Sequence, residues 1–153
     1  MNVWLTLHVI GVVLFVGNIV TAAFWKARAD LGKNPVVVHD AVRNVMLADY
    51  VFTIPGIALI TFSGIQMAHR SGIPMGESNW LTASLIVFGA TGVVWGGVLI
   101  PLQRAMIRHS ALSIEKGTLS EAYRRVSRLW AVFGVACTLL PVVVLYLMIA
   151  KPY

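Results

Sequence analysis

Residues 3–25 read VWLTLHVIGVVLFVGNIVTAAFW and contain no Asp, Glu, Lys or Arg. A membrane-spanning helix needs about 20 consecutive apolar residues, because each residue advances about 1.5 Å through a hydrocarbon core of about 30 Å. Residues 50–68, 80–102 and 129–150 meet the same requirement. A single stretch crosses lipid only as a helix that satisfies its own backbone hydrogen bonds. The sequence therefore predicts an all-α fold, a transmembrane four-helix bundle formed as one domain by residues 1–153.

The composition excludes most other classes of protein. Apolar residues make up 58% of the chain and charged residues 12%, whereas soluble domains have about 25% charged residues. Such a composition is incompatible with a water-soluble globule, a disordered chain or a coiled coil. The single cysteine, Cys137, excludes an internal disulfide framework and a zinc cluster built from cysteines.

The basic residues predict the orientation of the spans. All of the 12 Lys and Arg residues except Arg70 and Lys151 lie between spans one and two or between spans three and four. Because loops rich in Lys and Arg stay cytoplasmic, we expect both termini and the loop 70–79 on the extracytoplasmic side of a bacterial inner membrane. The net charge of +6 then reflects topology and attraction to anionic lipid, so no nucleic-acid partner is expected.

The segments between the spans carry signals for helix ends. Asn34-Pro35 predicts an N-cap followed by proline in the first turn of a helix that runs straight into span two. Gly117 predicts the end of a helix that continues span three. Thr118 with Glu121 three residues later predicts a capping box at the start of the next helix. We therefore expect helices that extend beyond the membrane into the cytoplasm.

Spans one and two each carry one polar face. Residues at steps of three and four share a helix face, and polar groups in hydrocarbon face the bundle interior or a cavity. The face of span one consists of His8, Gly11, Phe15, Asn18, Ala22 and Trp25. That of span two consists of Asp49, Thr53, Gly56, Ile60, Ser63 and Met67. We expect the two faces to meet, with Asn18 at the depth of Thr53, and for Asn18, Thr53 and Ser63 interhelical hydrogen bonding is the favoured interpretation.

His8 is the strongest candidate for a metal-binding residue. It lies about 7 Å inside the outer end of span one, at about 1.5 Å per residue. A neutral imidazole binds heme iron, zinc or copper, and the alternative is a neutral histidine bonded to a neighbouring helix. Met67 or Met148 is a possible sixth ligand, whereas the other histidines are too shallow or on the opposite side: His39, His69 and His109.

Asp49 lies where span two enters the membrane, so its carboxylate needs a partner. The nearest basic candidates are Lys26 and Arg43, and we expect a lysine that snorkels to the interface rather than a deep ion pair. A proton relay at Asp49 is the functional alternative. It would fit a small carrier assembled from several copies of the chain.

Span three carries a smooth stripe formed by Gly89, Gly92 and Gly96. Small residues at this spacing let two helices approach closely. The contact would lie inside the bundle, between two copies of the chain, or against another membrane subunit. The sequence therefore also fits a structural or accessory subunit without a cofactor.

Several segments resemble a family of short bacterial integral membrane proteins classed as a numbered domain of unknown function. The resemblance lies in LHVIG at 7–11, LFVGN at 14–18, Trp25-Lys26, DYVF at 49–52 and the closing stretch 141–152. It covers essentially the whole chain. The resemblance implies four helices but does not indicate an activity.

More distantly, the His-x-x-Gly opening is similar to HemJ-type protoporphyrinogen oxidases and CopD-type copper-resistance domains. In the HemJ-type family a first-span histidine is associated with heme b, and that position corresponds to His8. The proline-arginine segment with a further histidine that follows in that family is absent, and residues 22–28 stand in its place. This departure argues against the oxidase reaction and leaves simple heme binding open.

These observations lead to one specific hypothesis. The chain holds heme b or a similar planar cofactor between its helices in a redox or cofactor-handling role, with His8 as the metal ligand. Gly11, Asn18, Thr53 and Met67 are expected to line the cofactor cavity. The accessory subunit and the small oligomeric carrier are the alternatives.

Overall fold

The computed structural model describes residues 3–152, so Met1, Asn2 and Tyr153 of the predicted domain lie outside the described residues. Four long helical rods are apolar enough to cross a membrane, which confirms the predicted fold class. The rods are built from the elements α1 (Val3–Gly32), α2 (Pro35–Ala48), a first π-helical segment (Asp49–Thr53), α3 (Ile54–Ser71), α4 (Trp80–Val94), a second π-helical segment (Trp95–Leu99), α5 (Ile100–Lys116) and α6 (Glu121–Ala150).

The connections between the rods follow the predicted signals with one exception. Asn34 caps α2, and its side-chain oxygen accepts from the backbone N–H of Val36 at 3.0 Å. Gly117 ends α5 with a φ of +70°, a conformation that glycine adopts without a Cβ clash. The predicted capping box at Thr118 is wrong. Ser120 caps α6 instead, because its hydroxyl lies 3.2 Å from the backbone N of Tyr123 and accepts that third-residue N–H.

Packing divides the bundle into two regions. The connections α1–α2 and α5–α6 lie at one end, which carries most of the basic residues and is called the basic end below. There α2 packs against α5, and Val38, Val42, Met106 and Tyr123 are fully buried. Toward the opposite end α1 packs along α3 and α4 packs along α6. The core is thus densest at the basic end.

Both π-helical segments end just before a proline. Pro55 lies in the first turn of α3 and Pro101 in the first turn of α5. A proline ring clashes with the carbonyl four residues earlier, and those carbonyls belong to Val51 and Gly97, inside the π-helical segments. The wider π turn therefore has a cause in the sequence.

Candidate functional site

The two polar faces predicted for spans one and two lie against each other, along the contact between α1 and α3. Asn18 Nδ2 donates to Thr53 Oγ1 at 2.9 Å, so the two residues share one depth as expected. His8 lies about 15 Å from Asn18 along α1, because a helix rises about 1.5 Å per residue. The predicted site residues therefore occupy two separate levels rather than one pocket.

Two glycines close the space between these levels. A Cβ at Gly11 would lie 2.9 Å from the Gly56 carbonyl oxygen, and one at Gly56 would lie 3.0 Å from the Gly11 carbonyl oxygen and from the backbone N of Phe15. The backbones of α1 and α3 are therefore in direct contact at this point. Gly11 acts here in helix packing, and at this level no space remains between α1 and α3 for a planar cofactor.

The outer level is the histidine site, formed by His8, Ile60, Ser63 and Gly64. His8 is half-buried, and its Nδ1 lies 3.2 Å from the Ile60 carbonyl oxygen and 3.2 Å from Ser63 Oγ. A carbonyl oxygen only accepts, so Nδ1 carries the proton in the bond to Ile60. The Ser63 hydroxyl donates to the Leu59 carbonyl and can accept from His8. In this tautomer Nε2 keeps its lone pair.

The inner level is the carboxylate cluster, formed by Asn18, Asp49, Thr53, Trp95 and Gln103. Asp49 is only 5% exposed. Its Oδ1 accepts from Asn18 Nδ2 at 2.9 Å and from Thr53 Oγ1 at 2.8 Å. Its Oδ2 accepts from Gln103 Nε2 at 2.7 Å and from the Trp95 indole N–H at 3.4 Å. Four neutral donors from three rods therefore converge on one carboxyl group.

The prediction that Lys26 or Arg43 would pair with Asp49 is wrong. Lys26 Nζ lies 2.5 Å from Asp30 Oδ2 and also donates to the Ser127 hydroxyl. Asp30 lies four residues after Lys26, so both side chains project from one face of α1 and meet there. Arg43 is exposed.

Lys26 also does not snorkel toward water, contrary to the sequence prediction. It is 3% exposed, and its Nζ lies 5.7 Å and 5.2 Å from the ring centroids of Tyr123 and Trp130. The Tyr123 hydroxyl donates to Asp30 Oδ1 at 2.6 Å. This aromatic enclosure and its ion pair join α1 to α6, so Lys26 belongs to a contact distinct from the carboxylate cluster.

Sequence reasoning missed Trp95 and Gln103 as members of the cluster. Gln103 is 2% exposed, and its Oε1 is buried without a hydrogen-bond partner. A signal was present, because Trp95 interrupts an otherwise aliphatic and glycine-rich stretch and Gln103 lies two turns further on. What hid the cluster was the π-helical segment between them, which shifts the helical phase.

The remaining candidates do not join either level. Met67 is half-buried one turn beyond Ser63 on α3. At Gly89, Gly92 and Gly96 an added Cβ would have no atom of the described chain within 4 Å, so the stripe is not used for packing inside the bundle. Within residues 3–152 no group of three or more His, Cys, Asp or Glu side chains is placed to hold a metal ion.

Comparison with known proteins agrees with this architecture. The family described as Predicted integral membrane protein (DUF2269) matches residues 2–152. No match was found among curated proteins or solved structures. Four apolar rods of sufficient length and a match over nearly the whole chain make this a multi-pass integral membrane protein. The chain belongs to the DUF2269 family of predicted integral membrane proteins.

Proposed function

We propose that the protein holds heme b or a similar planar cofactor through His8, in a redox or cofactor-handling role. The observation that supports this proposal is the hydrogen bond from His8 Nδ1 to the Ile60 carbonyl. Histidines that bind metals usually donate their second ring N–H to a carbonyl or carboxylate, which fixes the tautomer and the ring orientation. His8 has this arrangement, with Nε2 left as the ligand atom.

The packing restricts where a cofactor fits. Because Gly11 and Gly56 bring α1 and α3 into contact, a ring bound to His8 does not extend between the two helices at the level of these glycines. Asn18 and Thr53 are committed to Asp49 or to each other and do not line such a site. The residues present supply one nitrogen ligand, His8. Met67, one turn beyond Ser63 on α3, is the candidate sulfur ligand. A bound heme would supply one-electron chemistry.

The visible absorption spectrum tests this proposal. We expect full-length protein expressed with ample heme to show a Soret band that is lost in His8→Ala and kept in His69→Ala, the matched control on the exposed end of α3. Ser63→Ala should shift the band without abolishing it, because the Ile60 carbonyl still orients the ring. A protein without a Soret band, or with one that is unchanged in His8→Ala, contradicts the proposal.

The open glycine stripe favours a second candidate function, that of a membrane subunit. A surface formed by Gly89, Gly92 and Gly96 lets another helix approach closely in lipid, and nothing in the described chain covers it. In this candidate function a second copy of the chain packs there. Gly92→Leu should then convert oligomers to monomers on native gels, whereas Gly17→Leu, at an equally open glycine of α1, should not.

We also propose that the protein lies in the inner membrane of a bacterium with its basic end in the cytoplasm. The support is the distribution of charge, since loops rich in Lys and Arg are retained on the cytoplasmic side. On this orientation His8 lies in the outer half of the membrane and Asp49 in the inner half.

A further inference from the structure

We propose that Asp49 is a proton-binding site inside the membrane, where the carboxyl group takes up and releases a proton without leaving the bundle. The proposal concerns the carboxylate cluster only and does not depend on a cofactor at His8. It starts from the four hydrogen bonds that reach the two carboxylate oxygens. All four donors are neutral, so they stabilise the ionised form without cancelling its charge.

No cation reaches this carboxylate among the described residues. The two ion pairs within residues 3–152 are Lys26–Asp30 and Arg124–Glu121. None of the charged or titratable groups on the elements around Asp49 makes an ion pair or hydrogen bond with it. Those groups are His8, Lys26, Arg28, Asp30, His39, Asp40, Arg43, Tyr50, His69, Arg70, Arg104, Arg108, His109, Glu115 and Lys116.

Two opposite effects therefore act on the ionised form of Asp49. Burial in a low-dielectric bundle penalises the ionised form, whereas hydrogen bonds to the carboxylate favour it. An ion pair would favour the ionised form decisively. The hydrogen-bond donors to Asp49 are all neutral groups.

Gln103 provides an independent observation that points to a proton. Its Nε2 donates to Asp49 Oδ2, while its Oε1 is buried without a partner. An amide carries donors on one side and an acceptor on the other. Rotation of the amide by half a turn would present Oε1 to Asp49, where it could accept the proton of the neutral acid. Gln103 thus has a group for each state of Asp49.

The surrounding backbone fits such a role. Asp49 begins the first π-helical segment and Trp95 begins the second, so both sides of the 3.4 Å contact between them stand on π-helical turns. Short π-helical turns inside α-helices occur often at functional sites. Thr53, at the other end of the first segment, is fully buried and donates to the same carboxyl group.

Infrared difference spectroscopy of the full-length protein in lipid nanodiscs, recorded while the pH is lowered, tests the proposal. We expect a carboxylic-acid C=O band that shifts when aspartate is carboxyl-labelled with carbon-13. The label separates the three aspartates from the three glutamates without a mutation. The component of the band that belongs to Asp49 should be lost in Asp49→Asn and kept in Asp40→Asn, an exposed acid on α2.

Two further variants examine the neighbours of the proton. Trp95→Phe removes a donor-only group but leaves the Asp49 carboxyl group in place, so the band should be kept. Gln103→Leu removes the acceptor of the acid proton, so the band should move to higher wavenumber. If Asp49→Asn shows the same labelled aspartic-acid bands as the wild-type protein over the whole pH range, the proposal is overturned.

Discussion

Two missing side chains, one on each helix, determine how close α1 and α3 come. Gly11 and Gly56 face each other across the contact, and each would place a Cβ about 3 Å from backbone atoms of the other helix. Backbone cannot move aside as the end of a flexible side chain can. The hydrogen bonds of His8 above this point and of Asn18 below it depend on the same short separation.

Gly56→Ala should therefore destabilise the protein by about 1–3 kcal/mol, the usual cost of overpacking a closed interior. The added methyl group would lie 3.0 Å from two backbone atoms of α1 and would force the helices apart. Thermal unfolding in detergent, followed by circular dichroism, measures the effect. Gly17→Ala is the control, because its Cβ would meet no atom of the described chain within 4 Å; equal stability of the two variants would contradict this account.

Among the helices, α1 is joined to α6 by polar groups in the basic half of the bundle. Asp30 accepts hydrogen bonds from Lys26, Tyr123 and Ser127. The ammonium group of Lys26 lies close to the rings of Tyr123 and Trp130, where cation–π attraction adds to the ion pair. The strength of this connection comes from burial, since the Lys26 side chain is 4% exposed.

Lys26→Met should lower the stability by about 1–3 kcal/mol, because it leaves the Asp30 carboxylate, which is 29% exposed, without its cation. Lys26→Met combined with Asp30→Leu should recover part of this loss, since no buried charge then remains. Urea or thermal unfolding of both variants measures the difference. Arg124→Met is the matched control. Its pair with Glu121 is 53% and 80% exposed, so we expect a loss below about 1 kcal/mol.

Over the whole molecule, the four rods place every connection at one of two ends. The loops after α1 and α5 belong to the basic end, and residues 72–79 connect α3 and α4 at the other. Ser78 and Lys116 are exposed on opposite ends. The native Cys137 is buried, at 2% exposure, so new surface cysteines can be distinguished from it.

Labelling with a membrane-impermeant thiol reagent should show the orientation. We expect Ser78→Cys to react in intact cells and Lys116→Cys to react only after the membrane is opened, because the basic end should face the cytoplasm. Wild-type protein serves as the control for Cys137. If Lys116→Cys is labelled in intact cells and Ser78→Cys is not, the proposed orientation is wrong.

The sequence predicted the fold more completely than the site. Uninterrupted apolar stretches and the signals at Asn34 and Gly117 depend on local chemistry, and the structure confirms them. The meeting of Asn18 with Thr53 followed from helical periodicity. The donors that reach Asp49 from the third rod did not follow, because they require the register between rods. The sequence analysis paired Lys26 with Asp49, whereas its partner is Asp30, one helical turn away on α1.

The two prolines determine which way the polar side chains point. Pro55 follows Asp49 by the same number of residues as Pro101 follows Trp95, and in each rod the widened turn begins at the residue that enters the cluster. Successive residues of a helix are rotated by about 100°. Inserting one residue ahead of either proline would thus turn Asp49 or Trp95 away from the cluster by about 100°, even though every residue of the cluster would still be present. In relatives of this chain, the spacing to proline should be as informative as the identity of the polar residue.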